Sequence, residues 1–202
     1  MNVYFDNAST TKVREEVVDE VSNVLKNCFG NPSSTHSFGR SAKSYIETSR
    51  KTIAKILNCE PGEIIFNSGG TESDNSILKC AVKDLGVKHI ISSKIEHHAI
   101  THTLEELESQ NVSIHYVKLL EKGNIDLDHL EYLLNLNDEP KLVTLMYINN
   151  EIGNILDINK VSNLCQKYDT FFHSDAVQAI GHYKIDLSSL KIDFMTSAGH
   201  KF

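Results

Sequence analysis

Ser68-Gly69-Gly70-Thr71 lies between a short β-branched run and a helical pattern, so its glycines permit close backbone approach while free amides and the Thr71 hydroxyl point at an anion. Asp175 follows the apolar run Thr170-Phe171-Phe172-His173, and an acid at the end of a buried strand is costly unless something positive meets it. Ser197-Ala198-Gly199-His200-Lys201 reads as a turn presenting an amine, which becomes nucleophilic when desolvated or set beside positive groups. A lysine amine, a buried carboxylate and a phosphate cradle are together what pyridoxal phosphate requires. Each feature has a plainer reading. The glycine turn resembles many strand-to-helix turns, Asp175 could cap a helix starting at Ala176, and lysine is most often a solvated charge.

Three further positions belong to the same inventory. His97, after Ile95-Glu96, offers an imidazole that can stack on an aromatic ring or pass a proton, with a solvated loop histidine as the alternative. Gln178 lies three positions beyond Asp175 and could reach the same ligand. Asn149-Asn150-Glu151 sets two amides and an acid after another extended run, where asparagines are also common turn residues.

The elements that must position these groups follow from apolar spacing. Val13, Val17, Val21, Val24 and Leu25 repeat at helical intervals, and a second helix would bury Ala42, Ile46, Ile53, Ile56 and Leu57. From Ile64-Ile65-Phe66 onward, strands alternate with helices. Strands are predicted at 64–66, 89–91, 112–117, 142–147, 170–173 and 194–196, with helices at 73–85, 99–110, 127–135 and 157–168. This order predicts an α/β fold: three αβα layers around a mostly parallel sheet, with ligands at the strands' carboxyl ends. The 202 residues read as one unit, two N-terminal helices plus a large domain, whose pattern ends on a strand and turn without a closing helix.

Twenty-seven acidic residues outweigh twenty basic ones for a net charge of −7, with no basic block, so a nucleic-acid partner is not expected. No apolar run reaches membrane-spanning length and residues 1–6 lack a signal pattern, which predicts a cytoplasmic chain without a membrane partner. Cys28, Cys59, Cys80 and Cys165 form no CxxC pair; free thiols are expected, with Cys80 and Cys165 as small buried hydrophobes, and no metal site.

Seven blocks in order resemble cysteine desulfurases of the NifS/IscS type, in the class V aminotransferase superfamily of fold-type I pyridoxal phosphate enzymes. They are Phe5 to Thr11, Phe29 to Ser34, Ser68 to Asn75, Glu96-His97, Asn149 to Gly153, His173 to Gln178, and Gly199-His200-Lys201. The resemblance implies that Gly70 and Thr71 hold the phosphate, with His200 adding a contact. It further implies that His97 stacks on the pyridine ring, Asn150 and Gln178 bond the phenolic oxygen, Asp175 pairs with the ring nitrogen, and Lys201 forms the Schiff base. One departure is Ala198, where the family commonly has serine; neighbouring Ser197 could substitute by a small shift.

The implied reaction converts L-cysteine to L-alanine and a persulfide, feeding iron–sulfur assembly or thiolation through a sulfur-acceptor protein. The resemblance covers about the first half of a family member. The expectation is therefore a cofactor-binding portion that lacks the catalytic-cysteine half and is inactive alone, held as a homodimer or with a partner chain. Alternatives are another class V enzyme, such as an aminotransferase or selenocysteine lyase, and a non-catalytic binding or assembly fragment.

Overall fold

In the computed structural model, which describes residues Met1–Phe202, apolar alternation within short strands decides the architecture. The strands are β1 (His89–Ser92), β2 (Ser113–Tyr116), β3 (Lys141–Thr144), β4 (Phe171–Asp175) and β5 (Phe194–Thr196). They form one wholly parallel sheet in the order β2-β1-β3-β4-β5. Successive side chains point to opposite faces, so Ile90 and Leu142 join one core while their neighbours Ile91 and Val143 join another. Both faces are consequently buried, as a parallel sheet requires.

Helices α3 (Gly70–Asp84) and α4 (His98–Ser109) cover the first face, where Leu78, Ala81, Ile100 and Leu104 pack on Ile90 and Leu142. Helices α5 (Leu127–Leu134) and α6 (Ile158–Lys167) cover the second, with Leu130, Leu134, Val161 and Cys165 around Ile91, Val143 and Phe172. The chain steps from β1 outward to β2, then crosses back over β1 to β3. Connections leaving β1 and β3 therefore diverge to opposite faces and open a crevice at the carboxyl ends.

Helices α1 (Glu15–Asn27) and α2 (Ser37–Leu57) lie outside these layers. None of α1 is buried; of the face expected on α2, Ala42 is buried and Ile53 and Leu57 half-buried, while Ile46 and Ile56 are exposed, Ile56 to 69%. Its attachment is at its end, where Leu57 O accepts from Leu187 N and Asn58 Nδ2 donates to Asp186 and Ser188. The strand predicted at 64–66 pairs with no strand of the sheet, and Ile65 is 82% exposed. Arg50 holds it instead, donating to Ile64 O and lying over the Phe66 ring. Cys80, expected inside, is exposed because the inward stripe of α3 is Asp74, Leu78 and Ala81; Cys165 is buried as expected. No helix is long and apolar enough to cross a membrane.

Candidate active site

The glycine turn opens α3 three residues before the expected start at 73, with Gly69 at φ 153 as N-cap and Gly70 already helical. Ser68 N donates to Glu72 Oε2 and Gly69 N to Asn67 Oδ1, whereas the amides of Gly70, Thr71 and Glu72 have no acceptor in the chain. Three free N–H groups at the positive end of a fifteen-residue helix make an anion site. Gly70 is closely approached by its surroundings. A Cβ there would stand 3.0 Å from Val177 Cγ2 and 3.8 Å from both Thr196 Cγ2 and Ala198 Cβ.

Those contacts join the turn to the ends of β4 and β5. Thr196 and Ala198 face Gly70, so strand alternation turns Ser197 the other way; the serine nearest in sequence does not take the place that Ala198 leaves without a hydroxyl.

Asp175 closes β4 at 5% exposure. Val177 N donates to its Oδ1 at 3.0 Å, so it does cap the following turn, and its other oxygen has no partner in the chain. Burial pushes its carboxyl up, opposed by that bond and by the nearby positive charge of His97 and Lys201. His97 is the N-cap of α4: its Nδ1 accepts from Ala99 N at 3.1 Å while the ring stays exposed. The capping bond fixes the imidazole's orientation and leaves Nε2 available.

Lys201 and Gln178 converge. Lys201 Nζ donates to Ala8 O, and Gln178 Nε2 donates to the same oxygen at 2.9 Å. Lys201 is anchored from its other side as well, since His182 Nε2 meets its carbonyl at 3.0 Å and the Phe202 ring lies against Gly181, where a Cβ would be only 2.3 Å from it. Gly181, at φ 89, has both reasons to be glycine. His200 is exposed, and its Nδ1 lies 3.2 Å from Thr10 Oγ1. Its carbonyl accepts from Thr11 N at 3.0 Å and from the hydroxyls of Thr10 and Thr11.

The adjacent asparagines divide their work. Asn149 is structural: Nδ2 donates to Ile95 O, and Oδ1 accepts from Glu151 N and Ile152 N, closing the turn after β3. Asn150 is half-buried with no side-chain partner in the chain, which leaves its amide for a ligand.

Two groups of residues escape a reading of the sequence. The segment 6–11 lies against 200–201 although 190 positions separate Thr10 from His200, a pairing no local spacing encodes. Asp74 and Glu96, 1% and 8% exposed, place two more carboxyls behind Asp175. Glu96 accepts from Ser93 Oγ at 2.6 Å and from Met146 N at 2.8 Å, and burial pushes it up to about 8. The available signal was Asp74 in the inward register of α3, four residues before Leu78.

A three-layer parallel sheet with an anion cradle, a buried acid and a tethered amine at its carboxyl edge defines a class of cofactor-dependent transferase. The class-V aminotransferase family model matches residues 3–202, and the chain belongs to that family, whose members depend on pyridoxal 5′-phosphate. It is 43% identical to the cysteine desulfurase IscS of Methanosarcina thermophila over 99% of this chain and 50% of that protein. A solved NifS-like protein superposes with a TM-score of 0.95 at 36% identity, over 100% of this chain and 56% of that one. The structure of SspA in complex with cysteine follows at 0.92 and 32%, over 98% of this chain and 57% of that one. The chain thus spans about half the length of the relatives it matches.

Proposed function

We propose that this chain provides the pyridoxal phosphate site of a cysteine desulfurase. The observation carrying this reading is the convergence of Lys201 Nζ and Gln178 Nε2 on one point, beside Asp175 and the free amides of α3. The groups fit that cofactor: a dianionic phosphate suits the amides of Gly70, Thr71 and Glu72, a pyridinium nitrogen suits the unpaired Asp175 oxygen, and an aldehyde suits the lysine amine. When bound, the cofactor supplies an electron sink for a carbanion at the substrate's Cα.

The chain's own residues do the rest. Asp175 would face the ring nitrogen as its counter-charge, His97 would lie against the ring, and Asn150 and Gln178 would supply amide donors to the phenolic oxygen. Lys201 Nζ is the amine that would hold the cofactor and would serve as the base toward the Cα proton of L-cysteine. His200, through its contact with Thr10, steadies the turn that carries Lys201, and it would add a contact to the phosphate.

Neither Cys165 nor Cys80 suits the role of sulfur acceptor: Cys165 lies in the α6 core layer with its thiol pushed far up by burial, and Cys80 is on the outer side of α3. Completing the reaction to alanine and a persulfide takes a thiolate from further chain or a partner, and the proposal extends to a homodimer that delivers sulfur to an acceptor protein for cluster assembly or thiolation. Cysteine as substrate is favoured over other amino acids by the cysteine-bound structural neighbour. The test is visible absorbance of lysine-bound cofactor on adding pyridoxal phosphate, with Lys201→Ala as control. Identical spectra from the two chains overturn the reading.

A further inference from the structure

Behind Asp175 lies a buried polar layer that the proposed reaction does not use. Asp74 projects from α3 at 1% exposure, with no lysine or arginine within ion-pairing distance, and its Oδ1 has no hydrogen-bond partner. The nearest cationic candidate, His173 Nε2 on β4, is 3.5 Å away, too long for the charge-assisted bond a buried ion pair needs. His173 is fully buried and already served by two hydroxyls: Nδ1 lies 2.9 Å from Thr144 Oγ1 and Nε2 3.1 Å from Thr196 Oγ1. The other charged groups facing this layer are Asp175 on β4, with His97 and Lys201 acting on it from the crevice, and Glu96 from the loop before α4. Two adjacent carboxylates without a cation between them cannot both stay ionised.

We infer that Asp74 is a positioning residue held as the neutral acid, donating its proton to Thr196 Oγ1, which donates in turn to Nε2 of a neutral His173, so that the anion of the layer resides on Asp175. The chain of donors then has one direction: Asp74 to Thr196 to His173, whose Nδ1–H donates to Thr144. It ties the helix carrying the cradle to the strand carrying Asp175. Asp74 is in side-chain hydrogen-bond contact with Thr196; that bond lowers Asp74, but burial first and the Asp175 charge second raise it by more, and burial lowers His173, in agreement with this assignment. The purpose rests on the pyridoxal phosphate reading: Asp175 meets a ring cation as a full carboxylate because its neighbour holds the proton.

The test needs no cofactor. The infrared difference between the full chain and Asp74→Asn near neutral pH shows the carbonyl stretch of a protonated acid, whereas the difference with Asp175→Asn shows carboxylate stretches. Asn mimics a neutral acid, so Asp74→Asn retains pyridoxal phosphate within about twofold. Carboxylate bands lost with Asp74→Asn overturn the inference. So does a doubly protonated His173 in nitrogen NMR of the unsubstituted chain, a measurement that stands even where a variant fails to fold. Absence of lysine-bound cofactor absorbance with these bands intact overturns the cofactor reading alone.

Discussion

Gln178 and Lys201, from the turns after β4 and β5, donate to one oxygen, the carbonyl of Ala8. A backbone oxygen from the start of the chain thus fixes the separation of two side chains that the sheet alone only brings near. The strap is held in turn by Thr10 and Thr11 at the His200 carbonyl.

Loosening the strap should therefore be felt at the lysine. Replacing Thr10 and Thr11 together by valine removes two hydroxyl bonds on the His200 carbonyl, worth about 1 kcal/mol between them at this exposure. Cofactor retention is expected to weaken roughly fivefold, measured by fluorescence titration. Unchanged affinity would show that the strap follows Lys201 rather than holding it.

Ala198 is a second control point, because its Cβ faces Gly70 where the family commonly carries a hydroxyl. Ala198→Ser introduces a donor toward the cradle, and a hydrogen bond to an anion contributes about 1.5–3 kcal/mol. The same buried hydroxyl, at a site 6% exposed, lacks a partner in the cofactor-free chain. The expected result has two signs: cofactor binding tighter by roughly ten- to a hundredfold, and cofactor-free unfolding easier by about 1 kcal/mol. Tighter binding without the loss would place the new hydroxyl outside the core.

The layered sheet was legible because Ile90, Ile91, Leu142, Val143 and Phe172 sit in short apolar runs spaced by amphipathic helices. The cradle, Asp175 and Lys201 were legible as ends of those runs. What misled was pattern without a partner. Ile64-Ile65-Phe66 has strand composition yet no strand beside it, and the isoleucines of α2 have helical spacing but meet no layer. Asp74, Glu96 and the strap were hidden for a different reason: their partners lie 50 or more positions away, as Met146 does from Glu96 and His200 from Thr10.

Unmet apolar surface also predicts association. Along α1, Val17, Val21 and Leu25 are 48%, 52% and 75% exposed on a helix that buries nothing, and residues spaced by four share a face. Self-association through this face is the expected state at micromolar concentration, and Val17→Glu with Val21→Glu should shift light scattering toward the monomer. A chain already monomeric before substitution contradicts it.

Glu96 makes stability fall as pH rises. Its ordinary value of 4.5 applies to the unfolded chain and about 8 to the folded one, so between these pH values the native state keeps a proton that the unfolded state has lost. Below that window both states are protonated and no cost arises; above it both are ionised and the full cost stays. Asp74, raised as well, acts in the same direction. His173, lowered from 6.5 to about 3, acts in the opposite one, withdrawing stability as pH falls through that range. The histidine falls silent only about one pH unit above 6.5, but it is present in both chains, so it cancels when the Glu96 variant is compared with the unsubstituted chain. Glu96→Gln keeps the acceptor for Met146 N and can donate to Ser93 Oγ, so it removes the titration without removing the bonds. Urea unfolding between pH 6.5 and 8 should show the decline eased by up to about 1.4 kcal/mol per pH unit in the variant. An equal slope in both chains would mean that Glu96 is ionised in the folded state.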